Sequence, residues 1–158
     1  MLVSVEGNHG VQNDLASRSQ LVSTSSTDAR PVQYRVLLVD DDPGTRQLLE
    51  DILEKYQDIR IVGQAGDGQQ AVAMAIEYKP DVILMDIGLP YLDGVEATQC
   101  IRKSCPETVV ICLTGHFSPP RYSAMRTAGA AAFVCKNQVL AIHEMILSTL
   151  GQWTRWKY

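Results

Sequence analysis

Short runs of consecutive apolar residues alternate with amphipathic stretches from Tyr34 onward. The runs are four or five residues long and, apart from Arg60 in the second run, consist of apolar residues rather than the alternation of polar and apolar residues that a half-exposed strand shows. Because both faces of such a segment are apolar, the pattern predicts parallel strands that are covered by helices on both sides. The predicted strands are Val36–Val39, Ile59–Val62, Val82–Met85, Val109–Leu113 and Ala131–Cys135.

Helix-start signals follow the first four predicted strands. An acidic or hydroxyl side chain before the first turn can accept hydrogen bonds from free backbone N–H groups, and proline suits the first helical position. The predicted caps are Asp42 before Pro43, Asp67 before a helix over Gly68–Tyr78, Asp93 with Glu96 as a capping box for a helix that ends near Ser104, and Ser118 before Pro119 and Pro120.

Two apolar stripes predict how the first and last helices cover the sheet. The last helix is predicted to begin near Gln138 and to end at Gly151, and His143 on its apolar side is predicted to be a packed core or interface histidine. The first stripe consists of Leu48, Leu49, Ile52, Leu53 and Tyr56, and the second of Val139, Ile142, His143, Ile146, Leu147 and Leu150.

Five strand–helix units predict an α/β fold. They are too few for a closed eight-stranded barrel, and their size fits an open sheet with helices on both faces. The prediction is a flavodoxin-like, doubly wound (βα)5 three-layer sandwich, with a parallel five-stranded sheet in the order 2-1-3-4-5.

Three regions of the chain differ in composition. Residues 1–33 are rich in Ser, Thr, Asn and Gln without periodicity, which predicts a flexible N-terminal leader. Residues 34–150 contain the five strand–helix units. Residues 151–158 form a short aromatic and basic tail, which is expected either to pack on the last helix or to serve as a docking peptide or a linker to an output domain.

Charge and composition exclude several functional classes. The formal net charge is -4 and the 14 basic residues are scattered among 18 acidic ones, so no nucleic-acid-binding surface is expected. No apolar run has the length of a membrane span, and the N-terminus lacks the basic start of a signal peptide, which predicts a cytoplasmic protein without membrane contact. The cysteines form no CxxC pair and are predicted to be reduced thiols. They are Cys100, Cys105, Cys112 and Cys135.

Polar residues stand where the predicted strands end. Ligands of a doubly wound parallel sheet bind outside the carboxyl ends of the strands, at the switch point between the first and third strands. Carboxylates about 4 Å apart repel one another by roughly 4 kcal/mol at an effective dielectric constant of about 20, and a divalent cation relieves that repulsion. The strand-end residues are Asp40, Asp41 and Asp42 after the first strand, Asp86 after the third, Thr114 after the fourth and Lys136 after the fifth.

These residue types suit phosphoryl chemistry beside a metal ion. Magnesium accepts a few carboxylate oxygens, keeps several waters and has room for a phosphate oxygen. Lys136 and Thr114 can donate to a phosphoryl group, and Asp86 is the natural nucleophile. Each residue taken singly also fits an ordinary turn, cap or solvated loop, so the hypothesis depends on the whole set.

Four segments resemble the receiver domains of two-component response regulators, including the receiver part of the LuxR/FixJ-type regulators. The resemblance covers about residues 34–150, and its motifs are specific in combination. The segments are ValLeuLeuValAspAspAspPro (36–43), AspValIleLeuMetAspIleGlyLeuProTyrLeuAspGly (81–94), ValIleCysLeuThrGly (110–115) and AlaAlaPheValCysLys (131–136).

The resemblance implies a role for each matching residue. Asp41 matches a direct Mg²⁺ ligand, Asp40 an acid that acts largely through water, and Asp86 the phosphoacceptor, while Mn²⁺ is an alternative ion. The backbone carbonyl of Gly88 matches a further metal ligand. The remaining matches are Thr114 as the switch hydroxyl, Lys136 as the lysine that pairs with the phosphoryl group, and Phe133 as the aromatic switch residue.

Three positions depart from the usual family pattern. Asn137 stands where proline is common, Gly115 where alanine is frequent, and Phe133 where tyrosine is usual. None of these changes removes a catalytic group, but Phe133 has no hydroxyl with which to form a hydrogen bond when it turns inward.

The resemblance also implies partners. A sensor histidine kinase or a histidine phosphotransfer protein would supply the phosphoryl group. The face formed by the fourth helix, fifth strand and fifth helix would then bind a downstream protein or a fused output domain, and a second copy of the chain is a further candidate after phosphorylation. The chain would be a signalling switch that catalyses only its own phosphorylation and dephosphorylation.

Two alternative functions stay open from the sequence. The first is an interaction module that keeps the receiver fold but acts without phosphorylation. The second is a flavodoxin-like cofactor binder or a phosphatase with an aspartyl intermediate. The acidic first turn disfavours the second alternative, because a loop that cradles phosphate needs glycine and free backbone amides.

Overall fold

A single parallel sheet forms the centre of the protein, whose computed structural model describes residues 31–156. The spatial order of the strands is β2-β1-β3-β4-β5, and every neighbouring pair is parallel. This confirms the predicted sheet order, although the fifth strand begins one residue later than Ala131. The strands are β1 Tyr34–Val39, β2 Ile59–Ala65, β3 Val82–Asp86, β4 Val109–Thr114 and β5 Ala132–Cys135. The predicted leader lies outside the described residues except for positions 31–33.

Helices cover both faces of the sheet, as the apolar strands require. Alternate residues of β1 enter different cores: Leu38 packs on the side of α1 and α5, and Leu37 packs on the side of α2, α3 and α4. The confirmed architecture is therefore a three-layer sandwich. The helices are α1 Pro43–Leu53, α2 Gly68–Tyr78, α3 Gly94–Ser104, α4 Pro119–Ala128 and α5 Ile142–Arg155, and a 3-10 segment spans Lys136–Ala141.

Three of the four predicted cap residues accept the expected hydrogen bond, although the predicted capping box of Asp93 and Glu96 is incomplete because the Glu96 side chain does not accept from the N–H of Asp93. The carboxylates of Asp42, Asp67 and Asp93 each accept a hydrogen bond from a backbone N–H in the first turn of the following helix. Ser118 holds the cap position of α4, but the prediction that its side chain caps the helix is wrong. Proline occupies the first two positions of α4 and supplies no N–H group, so few donors are left for a cap to satisfy.

The last helix departs most from the prediction. It begins at Ile142 because Gln138 has a non-helical backbone conformation inside the preceding 3-10 segment. The predicted end at Gly151 is wrong, since α5 continues through this residue to Arg155. Trp153, beyond Gly151, packs against the core on the α1 and α5 side, and the guanidinium carbon of Arg102 lies 4.8 Å from the centre of its ring.

Two residues of the predicted stripe on the first helix behave differently from the rest. Leu48 is 48% exposed and is not part of the core. Tyr56 lies beyond the end of α1 and stacks on His143, with ring centroids 3.6 Å apart. His143 Nε2 also lies 3.0 Å from Asp58 Oδ1, so this histidine is packed between elements, as predicted.

Within residues 31–156, each helix is too short or too polar to cross a lipid bilayer.

Candidate functional site

Three carboxylates meet at the carboxyl edge of the sheet. Asp40 directly follows β1 and is fully buried, Asp86 ends β3 and is 7% exposed, and Asp41 is exposed. One carboxylate oxygen from each residue lies within 4.8 Å of the others. Asp42 is turned to the cap of α1, where hydrogen bonds from Thr45 and Gly44 lower the pKa of its carboxyl. The acidic cluster therefore consists of two of the three consecutive aspartates together with Asp86.

Lys136 brings a positive charge to this cluster from the end of β5. Its Nζ lies 2.5 Å from Asp40 Oδ2 and 3.3 Å from Asp86 Oδ1. Burial lowers the pKa of Lys136, but the hydrogen bond to Asp40 and the charge of Asp86 outweigh burial and raise it above its ordinary value. The ammonium group is therefore charged at neutral pH.

The charge balance at Asp86 is less favourable. Burial raises the pKa of the Asp86 carboxyl, and the charges of Asp40 and Asp41 raise it further, although Lys136 acts in the opposite direction. One ammonium group thus does not compensate for three neighbouring carboxylates. The cluster retains an excess of negative charge that a further cation would neutralise.

Backbone contacts hold Asp40 in place. Its Oδ1 accepts a hydrogen bond of 3.0 Å from the backbone N–H of Asp42, and its carbonyl oxygen accepts one of 2.6 Å from Arg46 Nη1. Its own N–H donates to the carbonyl oxygen of Ala65 in the direction of β2. The carboxylate is thereby fixed before any ligand arrives, which reduces the reorganisation that binding requires.

Asp86 is positioned by the start of α3. The N–H of Gly94 donates a hydrogen bond of 2.9 Å to the carbonyl oxygen of Ile87. A Cβ atom at position 94 would lie 2.1 Å from the backbone carbonyl oxygen of Asp86, so only glycine permits this approach. The first residue of α3 therefore supports the backbone that carries the Asp86 side chain.

Thr114 lies beside the acidic cluster, but its hydroxyl points elsewhere. Its Oγ1 donates a hydrogen bond of 2.6 Å to the carbonyl oxygen of His116. The side chain lines a cleft of about 270 Å³ that opens next to Asp86. The residues of this cleft, named here the Asp86 cleft, are Asp86, Ile87, Gly88, Thr114, Gly115, His116, Ser118 and Arg121.

Phe133 is partly buried on the side of the sheet that faces α4. Its ring stacks on that of Tyr122, with ring centroids 3.9 Å apart. The ring centroids of Tyr122 and Phe117 are 5.8 Å apart. A narrow cleft between these rings also reaches Thr114. Phe133 and Thr114, the two residues predicted to act as a switch, therefore line one continuous surface.

The sequence prediction missed two residues on α4. Tyr122 covers Phe133, and Arg121 lines the Asp86 cleft. Only the aromatic character of Tyr122 and the positive charge of Arg121 could have indicated a role, because α4 has no pronounced apolar stripe that fixes its orientation.

The donor set fits a hard divalent cation. Carboxylate oxygens at this spacing are the ligands that magnesium prefers. Gly88 adjoins the cluster, since the position of a Cβ on this residue would lie 4.0 Å from Asp86 Oδ2. That the carbonyl oxygen of Gly88 is a metal ligand stays a prediction.

The four cysteines are free thiols, and burial raises the pKa of Cys112 to about 12.

Comparisons with known proteins agree on one family. Residues 36–146 match the model of the response regulator receiver domain. The chain is 44% identical over 104 residues to the protein-glutamate methylesterase/protein-glutamine glutaminase of Thermotoga maritima, a match that covers 65% of this chain and 30% of that protein. It is 37% identical over 107 residues to the transcriptional regulatory protein LiaR of Bacillus subtilis, covering 68% of this chain and 51% of LiaR. The chain thus spans about half or less of the length of these relatives.

Solved structures give the same result. A two-component response regulator of the LuxR family from Aurantimonas sp. SI85-9A1 superposes with a TM-score of 0.72 at 28% identity. The superposition covers 76% of this chain and 86% of that chain. The similarity therefore extends over the whole α/β sandwich.

Proposed function

Since this chain belongs to the response regulator receiver domain family, we propose that it is a switch that accepts a phosphoryl group on Asp86. The observation that supports this proposal most directly is the convergence of Asp40, Asp41, Asp86 and Lys136 at one edge of the sheet. Asp86 also borders an open cleft. A phosphoryl donor can reach its carboxylate through that cleft.

The transfer is a substitution at phosphorus. A carboxylate oxygen of Asp86 attacks the phosphorus of a phosphohistidine on a sensor kinase or a phosphotransfer protein, and the P–N bond breaks. The electron pair of that bond returns to the imidazole nitrogen, and the product on this chain is an acyl phosphate. Lys136 lies 3.3 Å from Asp86 Oδ1 and stabilises the negative charge of the transferring group.

A divalent ion would be held by Asp41, Asp86 and the carbonyl of Gly88, with Asp40 acting through water. When bound, Mg²⁺ supplies positive charge to the phosphoryl oxygens and lowers the mutual repulsion of the carboxylates. Asp40 is already fixed by its backbone contacts and by Lys136, which leaves Asp41 as the exposed and adaptable ligand.

The switch follows from the added charge. A phosphoryl group brings about two negative charges, to which the Thr114 hydroxyl and Lys136 can donate. Thr114 must first release the carbonyl oxygen of His116, its acceptor in this structure. That movement alters the narrow cleft it shares with Phe133 and Tyr122, and so the face formed by α4, β5 and α5. A downstream protein, an output domain or a second copy of the chain would read the altered face.

The switch resets when water attacks the phosphorus of the acyl phosphate. Inorganic phosphate leaves and the Asp86 carboxylate is restored. The chain therefore turns over its own phosphoryl group and no separate metabolite. An interaction module that is never phosphorylated would lack both reactions.

Phosphorylation by acetyl phosphate in the presence of Mg²⁺ tests the proposal. Intact mass spectrometry should detect one added phosphoryl group on the unaltered chain and on Asp51→Asn, whose carboxylate lies on the exposed face of α1. Asp86→Asn should gain none. Undiminished uptake by Asp86→Asn, or no uptake by the unaltered chain, would reject Asp86 as the phosphoacceptor.

A further inference from the structure

Arg121 and Asp86 both approach the same point beside Gly88. Arg121 Nη1 is 3.9 Å from the position that a Cβ on Gly88 would occupy, and Asp86 Oδ2 is 4.0 Å from the same position. Because residue 88 is glycine, no side chain fills this position. Both side chains also line the Asp86 cleft. The guanidinium of α4 and the carboxylate of β3 therefore line one cleft and both approach the open position beside Gly88.

The guanidinium of Arg121 is uncommitted. It forms no ion pair or hydrogen bond with any residue in the range 31–156. Lys136, the other cation of the site, is already paired with Asp40 and with the opposite oxygen of Asp86, Oδ1. The Oδ2 side of Asp86 thus has an unpaired cation within the same cleft.

We propose that Arg121 binds the phosphoryl group on Asp86, an inference that rests on the proposed function. Lys136 contacts the group from β5 and Arg121 contacts it from α4, on the side of Gly88. A planar guanidinium suits this task, because it can donate two hydrogen bonds to a phosphate at once. The contact exists only in the phosphorylated state, so it ties the first turn of α4 to phosphorylation.

This contact reaches the output face through the next residue. Tyr122 follows Arg121 on α4 and stacks on Phe133. A shift of Arg121 toward the phosphoryl group would therefore move the ring that covers Phe133. Phe133, the aromatic residue of β5, has no hydroxyl of its own. Its contact with Tyr122 would couple it to the site through α4.

Beryllofluoride with Mg²⁺, a phosphoryl mimic, is the probe for the test. Calorimetric titration should give a dissociation constant roughly tenfold higher for Arg121→Ala than for the unaltered chain, since a charge-assisted hydrogen bond is lost. Arg121→Lys should recover part of the affinity. Arg126→Ala, an exposed arginine of the same helix outside the cleft, is the matched control and should bind like the unaltered chain.

Two outcomes separate this inference from the proposed function. If the unaltered chain binds beryllofluoride through Asp86 and Arg121→Ala binds within twofold of Arg126→Ala, Arg121 is only a solvated surface residue and the inference fails alone. If the unaltered chain and Asp86→Asn respond alike, the proposed function fails with it. Thermal unfolding without beryllofluoride should be the same for both arginine variants, which excludes a change in folding as the cause.

Discussion

At the scale of single residues, Asp86 carries its charge in an unfavourable place. Burial is the main cause of its raised pKa, and the charge of Asp40 is the next. A native pKa above the unfolded value means that the native state binds the proton more tightly than the unfolded chain does. The resulting stability is complete below the ordinary pKa of 3.8 and is lost as the pH rises through the native pKa. At neutral pH the ionised carboxylate therefore destabilises the fold.

Asp86→Asn should accordingly raise the free energy of unfolding at pH 7 in metal-free buffer, by on the order of 1 kcal/mol. Urea unfolding followed by circular dichroism measures the change. The difference from the unaltered chain should shrink as the pH is lowered through the native pKa and should be smallest well below 3.8, where Asp86 is neutral in both states. A variant that is less stable at pH 7 would mean that the Lys136 contact outweighs burial at this site.

The sequence could identify residues at strand ends better than residues on helices. Asp86 and Lys136 end or follow buried strands, and parallel pairing brings such ends to one edge. Arg121 and Tyr122 reach the site only through the way α4 packs on the sheet. Their positions depend on tertiary contacts that a helix without a pronounced apolar stripe does not encode locally. The direction of the Thr114 hydroxyl was equally out of reach, since it depends on one carbonyl of a loop.

At the scale of elements, two glycines at helix positions have opposite meanings. Gly94 begins α3 directly against the end of β3, and a Cβ there would overlap the backbone oxygen of Asp86. Gly151 lies inside α5, and beyond the helix's own backbone and its two chain neighbours no atom lies within 4 Å of its Cβ position. Glycine is thus required at position 94 and costs helix stability at position 151.

Substituting alanine at each position should separate the two cases. Gly94→Ala should lower the free energy of unfolding by about 1–3 kcal/mol, because backbone atoms must move apart. Gly151→Ala should raise it by roughly 0.5–1 kcal/mol, because alanine restricts the unfolded chain and favours helix. Thermal and urea unfolding measure both. Loss of stability in Gly151→Ala would show that α5 does not continue through this residue in solution.

At the C-terminal end of α5, tertiary packing overrides a local helix-stop signal. A glycine after an apolar stripe is a common helix stop, yet here the helix passes through it. Glycine inside a helix costs about 1 kcal/mol. Trp153 lies beyond it, packs on the core and meets Arg102. The burial of a tryptophan side chain exceeds the cost of one glycine, so the helix extends to bring the ring to the core.

At the scale of the whole molecule, the sheet order and the two cores followed from the sequence alone. Five apolar runs separated by capped amphipathic segments leave few topologies other than a doubly wound sheet. The fold places all the strand ends on one edge, and the cluster of Asp40, Asp41 and Asp86 is a consequence of that edge. Folding therefore holds like charges together, and the stability of the whole domain is coupled to any cation bound there.

This coupling gives a prediction for the complete chain. A ligand that binds only the folded state raises the free energy of unfolding, by about 2.7 kcal/mol at a concentration of 100 times its dissociation constant. Saturating Mg²⁺ should thus raise the unfolding midpoint of the unaltered chain, and Asp41→Asn should abolish most of the rise. Asp42→Asn is the matched control, because it removes a neighbouring charge while asparagine still caps α1. Differential scanning calorimetry with and without Mg²⁺ decides the matter: an equal loss in both variants would assign the effect to general surface charge, whereas a loss confined to Asp41→Asn would mark Asp41 as a ligand.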